Sequence, residues 1–275
     1  MEANLSLEPP IRSALKLCVI VPVYNAAKTI RPLIQQIQSL GLPAMVVNDG
    51  STDQTAQLAA EAGALVINHL QNRGKGLALR SGFTVALEAG YDAVVTLDGD
   101  GQHDPREIPH LLERMQQPPR ASIVIGQRQF DDQAMPAARC RVNQLMSRLI
   151  SFMTTQAIPD SQCGFRVIRR EVLATIPLSG SRFELESELL LAAAQRGWTI
   201  ASVPIRTIYQ GESSHIRPVR DALRFMCLAF PYLVRRYFTT RPLPPHAVGS
   251  AEQRSQLATS PPAALPSATQ KPAGG

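Results

Sequence analysis

Short apolar runs alternate with amphipathic stretches along the first half of the chain. Each apolar run is bounded by turn residues, which predicts a buried strand. The stretches between the runs repeat apolar residues at helical spacing, as residues 27–40 do, which predicts helices. The first four predicted strands span 17–25, 44–47, 64–68 and 93–97. This alternation predicts an α/β fold with a mostly parallel sheet flanked by helices.

The pattern changes after a strand predicted at 122–128. Further helices are predicted at 139–155 and 183–196, and further strands at 163–168 and 199–209. An amphipathic helix with aromatic residues and arginines is predicted next, and it suits a membrane interface and packing on the core equally well. Pro, Ala, Ser and Gln dominate the end of the chain, which predicts a disordered tail. The predicted divisions are an N-terminal extension (1–15), one α/β domain (16–216), the amphipathic helix (217–238) and the tail (239–275).

The composition is that of a globular protein, since 44% of the 275 residues are hydrophobic and 18% are charged. The net charge of +6 fits phosphate-rich ligands or an anionic membrane, whereas the absence of basic–aromatic interleaving argues against nucleic acid. The four cysteines form no C-x-x-C pair, which disfavours a zinc site and fits a reducing compartment. With no secretory signal and no apolar run long enough to span a bilayer, we expect a cytoplasmic protein, or a peripheral one on the cytosolic face of the cell membrane.

Two acids follow the fourth predicted strand. Asp98 and Asp100 are two residues apart, so an extended backbone would point both carboxylates to one side. Open α/β sheets bind their ligands at this end of the strands. Two carboxylates beside the Gln102 amide suit Mg²⁺ or Mn²⁺ carrying a substrate pyrophosphate, and Gly99 would let that ligand approach the backbone. The alternative interpretation is a solvated acidic turn.

Polar residues also follow the first two predicted strands. Pro22, Tyr24 and Asn25 lie at the end of the first strand, and Asp49 and Asp53 lie just beyond the second. Because the carboxyl ends of parallel strands meet at one edge of a sheet, these residues should lie near the acids that follow the fourth strand. The sequence therefore predicts one polar site at this edge.

Lys75 lies between two glycines at the start of the helix predicted to end near residue 89. Small residues, a cation and a helix N-terminus together form a natural anion site. The segment is not a Walker A loop, because no Ser or Thr follows the lysine. It is not a dinucleotide fingerprint either, since Leu79 replaces the third glycine, and this excludes a dehydrogenase of that kind.

Four motifs in this order resemble those of the family 2 glycosyltransferases. They are Pro-Val-Tyr-Asn at 22–25, Asn-Asp-Gly-Ser-Thr-Asp at 48–53, Arg-Gly-Lys-Gly at 73–76 and Asp-Gly-Asp-Gly-Gln at 98–102. The resemblance covers residues 16 to about 225. It is greatest to the polyprenyl-phosphate branch, which is similar to dolichol-phosphate-mannose synthase. It implies the GT-A fold, a Rossmann-like fold of nucleotide-diphospho-sugar transferases.

The resemblance implies a role for each motif. Pro22, Tyr24 and Asp49 would line the nucleoside site, with Asp53 supporting it. The implied metal ligands are Asp98, Asp100 and Gln102, and Asp100 is also a catalytic candidate. Further contacts to the nucleotide-sugar are implied for Asn25, Lys75, Asp98, Gly99 and Arg128, and for Ser214 and His215 in a loop at 209–215 that is similar to the family's lid.

Acceptor contacts are implied for Arg128 and Arg139, and for Gly164 and Arg166 in a Gly-Phe-Arg segment. A lipid phosphate is already an anionic nucleophile and would need no strong base. If the acceptor is a hydroxyl, a carboxylate must take its proton, and Glu188 is the catalytic candidate, with Glu186 as its alternative. These acids are also explained by a solvated cluster at a helix N-terminus.

The implied activity is the metal-dependent, inverting transfer of one sugar from a nucleotide-diphosphate-sugar to a polyprenyl phosphate or another membrane-linked acceptor. The Q-x-x-R-W signature of processive synthases is absent, which favours a single addition. A sugar-1-phosphate nucleotidyltransferase is one alternative, and a catalytically silent nucleotide-sugar-binding adaptor is another. The sequence departs from the family at Ala26, where an acid often stands, and at His215, where the lid of mannose synthases usually carries lysine.

Overall fold

The computed structural model of the protein describes residues 15–129, 137–182, 184–208 and Tyr232. The predicted N-terminal extension, apart from residue 15, lies outside the described residues. So do the lid loop with Ser214 and His215, the amphipathic helix at 217–238 apart from Tyr232, and the predicted tail. Arg139 lies in a described helix, but its side chain is outside the described part. These predictions stay predictions.

Within the described residues, the core is a seven-stranded sheet in the order β3-β2-β1-β4-β6-β5-β7. Its strands are β1 (Leu17–Val23), β2 (Ala44–Asn48), β3 (Leu65–Asn68), β4 (Ala93–Thr96), β5 (Ile123–Arg128), β6 (Arg166–Arg169) and β7 (Ile200–Ile205). Only β6 runs antiparallel to its neighbours β4 and β5, and the other pairs are parallel. The predicted mostly parallel sheet is therefore confirmed, and the antiparallel strand begins three residues later than the pattern indicated.

Seven helices flank the sheet in the described residues. They are α1 (Ile30–Ser39), α2 (Thr55–Glu61), α3 (Lys75–Glu88), α4 (Ile108–Gln116), α5 (Ala137–Thr154), α6 (Arg170–Thr175) and α7 (Glu184–Gln195). A 3₁₀ turn at Pro105–Glu107 precedes α4, and the Asp104 side chain caps it by accepting from the Arg106 N–H. The pattern did not predict α6, because six residues are too few to show a helical period.

The packing of α1 shows how the apolar pattern positions a helix. Ile30, Leu33, Ile34 and Ile37 recur at helical spacing and are all buried. Burying one such aliphatic side chain stabilises the fold by about 1.5–3 kcal/mol relative to leaving it exposed. This face fixes α1 on the sheet, and the turn between β1 and α1 is therefore held at the sheet's edge.

The strand order reverses its direction at β1. The chain passes from β1 to β2 and β3 on one side and then returns to β4 on the other side of β1. A crevice opens at such a switch point, outside the carboxyl ends of the strands, and this is where open α/β sheets bind ligands. The fold therefore brings the ends of β1, β2 and β4 together. Among the described residues, no helix has both the length and the apolar character needed to cross a membrane.

Candidate active site

Asp98 follows β4 and lies in a closely fitted recess. Its Oδ1 is 2.7 Å from the Lys75 Nζ. A Cβ added at Gly164 would lie only 2.6 Å from each carboxylate oxygen of Asp98, so a larger residue at 164 would displace the acid. Thr96 holds this glycine in place, because its Oγ1 donates to the Gly164 carbonyl at 2.7 Å. Burial is the largest influence and disfavours the ionised form of Asp98, but the charge and hydrogen bond of Lys75, with contributions from His103 and Arg128, together outweigh burial and hold the pKa of this carboxyl below its usual range.

Asp100 lies in a turn rather than in an extended strand. Its Oδ1 accepts a hydrogen bond from the Gln102 N–H at 2.9 Å, and Gly101 has a positive φ of 74°. Because β4 ends at Thr96, the two-residue alternation of an extended strand does not set the directions of these acids. The predicted alignment of the two carboxylates by an extended strand is therefore wrong, although both acids do follow the same strand.

Lys75 contacts two carboxylates of the protein. Besides Asp98, its Nζ lies 3.2 and 3.3 Å from the two oxygens of Glu186. Burial works against the ammonium, but the two acids outweigh it and raise the pKa of Lys75 above its ordinary value. In the structure, carboxylates of the protein itself therefore contact the lysine of the anion site that the sequence predicted. The predicted contact of Lys75 with a nucleotide-sugar stays a prediction.

The donor set around Asp98 fits a substrate-shared divalent cation. Within residues 15–129, 137–182 and 184–208, no group of three or more His, Cys, Asp or Glu side chains is placed to hold a metal. Mg²⁺ needs no such group, because it is usually bound by one or two carboxylates together with substrate phosphates and waters. Asp98 and Asp100, with the Gln102 amide, would supply that smaller set. The fixed Asp98 carboxylate in its glycine-walled recess supports this fit.

The end of β1 supplies an exposed aromatic ring and a fixed amide. Tyr24 is 46% exposed, which is unusual for a large side chain beside the core. Asn25 adopts a positive φ of 53°, and its Oδ1 accepts from the Thr52 N–H at 2.9 Å. Its own N–H donates to Ser51 Oγ at the same distance. These bonds join the turn after β1 to the loop after β2.

Asp49 is buried and organises the backbone near Lys75. Its carboxylate accepts from the Arg73 N–H at 2.9 Å and from the Gly74 N–H at 2.7 Å. His69 Nδ1 lies 2.7 Å from the same acid, and His69 Nε2 lies 2.9 Å from Ser81 Oγ. Asp49 therefore positions the start of α3, whereas its predicted role at a nucleoside stays a prediction.

Asp53 and Pro22 are placed at the same edge. Asp53 accepts from the Ala27 N–H at 3.1 Å and from the Thr55 N–H at 3.0 Å. Burial disfavours ionisation of Asp53, but the hydrogen bond from the Thr55 hydroxyl and those from the two N–H groups together lower the pKa of Asp53 below its usual range. Pro22 is buried within β1, opposite Val47 of β2. Asp53 thus braces the turn after β1, and its supporting role at a nucleoside stays a prediction.

Arg128 forms a buried, bidentate ion pair at the end of β5. Its Nε and Nη2 lie 2.8 and 2.9 Å from the two oxygens of Asp160. Asp160 also accepts from the Arg128 N–H at 3.2 Å. The positive charge of Arg128 contributes to lowering the pKa of Asp98, so this pair lies within electrostatic reach of the acids after β4. The sequence analysis did not identify Asp160, although it lies in the segment that leads into Gly-Phe-Arg.

The structure does not place Arg166 at an acceptor site. The side chain is 1% exposed, and its guanidinium donates to the carbonyls of Cys163, Glu186 and Ser161 at 2.8 Å each. All of these partners belong to the protein interior. The acceptor contact implied for Arg166 is corrected to a structural one, since burial keeps the group away from any ligand. Gly164 instead walls the Asp98 recess.

Glu188 and Glu186 lie on α7 but have different partners. The carboxylate of Glu188 accepts from Ser179 Oγ at 2.6 Å and from the Gly180 N–H at 2.7 Å. It therefore holds the loop before α7. Glu186, the alternative base, is the acid that the fold brings to Lys75 and so to the Asp98 cluster. Both are buried, so the explanation as a solvated first-turn cluster is wrong for them.

His103 is a further polar residue at the site that the sequence analysis did not select. It is 4% exposed, packs against Phe165 with ring centroids 5.6 Å apart, and its Nδ1 has no partner among the described residues. Burial disfavours the imidazolium and lowers its pKa to about 4, although Asp98 acts in the opposite direction. The sequence feature that could have identified His103 as a site residue is its position directly after Gln102. At neutral pH it presents an uncharged ring beside Asp98.

Comparison with known proteins adds to this geometry. The sequence model of glycosyl transferase family 2 matches residues 18–176. Glycosyltransferase AglJ of Haloferax volcanii is 32% identical over 82% of this chain and 73% of its own length. The UDP-N-acetylglucosamine–dolichyl-phosphate N-acetylglucosaminyltransferase of Methanococcus voltae is 29% identical over 70% of this chain and 85% of its own.

A solved structure shows the same fold. Glucosyl-3-phosphoglycerate synthase of Mycobacterium tuberculosis, crystallised with Mn²⁺, uridine diphosphate and phosphoglyceric acid, superimposes with a TM-score of 0.63. The two are 21% identical, and the match covers 81% of this chain and 78% of that one. The predicted GT-A fold is confirmed by this likeness.

Proposed function

The chain belongs to glycosyl transferase family 2, and from this premise we propose that it transfers one sugar from a nucleotide-diphosphate-sugar to a polyprenyl phosphate, with inversion at the anomeric carbon. The observation that carries the proposal is the turn after β4. There Asp98 is kept ionised by Lys75 in a recess walled by Gly164, at the switch point of the sheet.

Donor binding is assigned to the edge formed by β1, β2 and β4. Asp98, Asp100 and Gln102 would hold a divalent cation, Mg²⁺ or Mn²⁺. When bound, such a cation supplies positive charge that stabilises the departing nucleoside diphosphate. Tyr24 offers an exposed ring on which a nucleoside can lie, and Asn25 is fixed beside it.

The acceptor is proposed to be a phosphate rather than a hydroxyl. A phosphate carries its own negative charge and attacks without losing a proton to the protein, whereas a hydroxyl needs a base. The two candidate bases have other partners: Glu188 accepts from Ser179 and Gly180, and Glu186 contacts Lys75. The relative from Methanococcus voltae is named for a dolichyl-phosphate acceptor, which supports the same choice.

The arginines on this side of the site would position the acceptor phosphate. Arg128 is fixed by Asp160 and lies close enough to influence Asp98. Arg139 belongs to α5, which follows β5 in the chain. Because Asp160 already binds the Arg128 guanidinium, Arg128 would attract the phosphate by its charge, and Arg139 is proposed to hold the phosphate directly, since a guanidinium can bind phosphate with two parallel hydrogen bonds. Direct attack by the held phosphate on the anomeric carbon inverts its configuration, since it needs no covalent intermediate on the enzyme.

Membrane contact and the choice of donor complete the proposal. A polyprenyl phosphate lies in a bilayer, so the chain must reach the membrane surface, and the aromatic and arginine-bearing segment 217–238 is proposed to provide that contact. Family membership argues against the nucleotidyltransferase and the silent adaptor. The donor base is left to experiment.

A transfer assay with matched acceptors tests this proposal. The full chain is incubated with radiolabelled UDP-, GDP- and dTDP-sugars, Mg²⁺ and either a polyprenyl phosphate or the same polyprenol without phosphate, both in phosphatidylglycerol-containing vesicles. We expect label in the extracted lipid from one nucleotide family only, with the phosphorylated acceptor only, and not after chelation. Equal labelling of the free polyprenol would contradict the phosphate acceptor. Transfer from none of the donors would contradict the activity as proposed.

A further inference from the structure

Lys75 lies between two carboxylates that come from different parts of the chain. Its Nζ is 2.7 Å from Asp98, which follows β4, and 3.2 Å from Glu186 on α7. All three side chains are largely shielded from water, with exposed fractions of 18% for Lys75, 26% for Asp98 and 10% for Glu186. One ammonium is therefore shared by two acids in a region of weak screening.

Two glycines bring Lys75 within reach of Glu186. A Cβ at Gly74 would lie 2.6 Å from the Ser181 carbonyl oxygen, and one at Gly76 would lie 2.6 Å from the Arg182 carbonyl oxygen. The Leu77 N–H donates to the Ser181 carbonyl at 3.1 Å. The first turn of α3 thus packs directly on the segment before α7, and side chains at 74 and 76 would separate them. This packing accounts for the glycines on either side of the lysine.

The sharing of Lys75 has an electrostatic consequence for Asp98. An ammonium paired with Asp98 alone would cancel its charge, and a divalent cation would then gain little from that carboxylate. Glu186 adds a second negative charge, so the three groups together keep a net charge of −1 beside the turn that carries Asp100. We propose, as an inference that rests on the proposed function, that Glu186 is a positioning residue. Through Lys75 it holds Asp98 in place and keeps the site electronegative enough to bind Mg²⁺ or Mn²⁺.

Substitution of Glu186 tests this inference against a matched control on the same helix. Glu186→Gln removes the charge but keeps an oxygen that can accept from Lys75. Glu184→Gln removes an equal charge from the start of α7, where Glu184 accepts from the Ser181 and Arg182 N–H groups and does not contact Lys75. Mn²⁺ affinity is measured from the electron paramagnetic resonance signal of free Mn²⁺, in the presence of UDP, GDP or dTDP, whichever the wild type binds.

We expect Glu186→Gln to raise the Kd for Mn²⁺ by about tenfold and Glu184→Gln to change it by less than about twofold, because Coulomb energies fall with distance and with exposure to water. In a Lys75→Met background, Glu186→Gln should have a smaller effect than in the wild type. Without the Lys75 ammonium, Glu186 has no contact through which to hold Asp98 in place. The activity of Glu186→Gln should recover as Mn²⁺ is raised, with kcat close to that of the wild type.

Three outcomes would overturn the inference. Equal losses in Glu184→Gln and Glu186→Gln would mean that charge alone matters, and an undiminished effect in the Lys75→Met background would mean that Glu186 does not act through Lys75. An unchanged Kd in Glu186→Gln would remove the role altogether while leaving the proposed function intact. If the wild type itself bound no Mn²⁺ with any of the three nucleotides, the proposed function would fail first and this inference with it.

Discussion

Asp100→Asn is expected to lower kcat/KM for sugar transfer by about a thousandfold, since removing one preorganised electrostatic stabiliser typically costs that much. The substitution removes a metal-binding charge but keeps the Oδ1 acceptor that binds the Gln102 N–H. The turn after β4 should therefore persist. We expect the free energy of unfolding to change by less than about 0.5 kcal/mol, as for a typical surface substitution, so that the melting temperature without ligand stays within about a degree of the wild type. Steady-state kinetics at saturating Mg²⁺ and thermal denaturation measure the two effects separately.

Asp104→Asn is the matched control for that variant. Asp104 lies four residues further on, and its partner Arg106 is 66% exposed. Asp104→Asn also removes one negative charge near the same turn. It should leave kcat/KM within about threefold of the wild type, because an ion pair with so exposed a partner is weak. If Asp100→Asn kept a tenth or more of the activity, or if Asp104→Asn lost as much as Asp100→Asn, Asp100 would not be a ligand of the reaction's cation.

Arg128→Ala is expected to reduce the free energy of unfolding by about 3–5 kcal/mol, because it leaves a buried charge without its partner. The Asp160 side chain is 1% exposed and takes both of its charged hydrogen bonds from Arg128. Urea denaturation followed by circular dichroism measures the change, with the slope of the transition unchanged if the denatured state is the same.

Arg106→Ala provides the comparison at the surface. Arg106 also pairs with an aspartate, but its side chain is 66% exposed, so its loss should cost at most about 1 kcal/mol. In the double variant Arg128→Ala/Asp160→Ala, the loss should be smaller than the sum of the two single losses, since no charge is left buried alone. A loss below about 1 kcal/mol in Arg128→Ala would show that water reaches Asp160, and Asp160 would then not fix the position of Arg128.

The sheet edge that carries the site was predictable because its signals are local. The runs that form β1, β2 and β4 are short and apolar, and the polar residues follow them within a few positions. Parallel strands necessarily bring such ends together, so the grouping of these residues follows from the alternation of strands and helices. The packing of β6 between β4 and β5 did not follow, because that order is set by contacts between distant parts of the chain.

The partners of charged residues were the least predictable feature. Lys75 and Glu186 are 111 positions apart, and no local pattern relates them. Residues 185–193 of α7 are buried without interruption, so the helical period could not show which of Glu186 and Glu188 faces the site. Two residues along a helix correspond to a turn of about 200°, which is why these acids have different partners. The acceptor contact of Arg166 was implied by the resemblance to the family's Gly-Phe-Arg segment, and the sequence alone could not show that this side chain is buried.

The proposed sugar transfer requires metal-dependent binding of a nucleotide-sugar, and thermal denaturation of the full wild-type chain measures that binding. UDP-, GDP- and dTDP-sugars are each added with Mn²⁺ or with a chelator. A ligand at a hundred times its Kd stabilises the native state by about 2.7 kcal/mol, which raises the Tm of a domain of this size by several degrees. We expect such a rise with one nucleotide family, in the presence of Mn²⁺ only. An unchanged Tm with every nucleotide-sugar, in a folded protein with Mn²⁺ present, would contradict the proposed transfer.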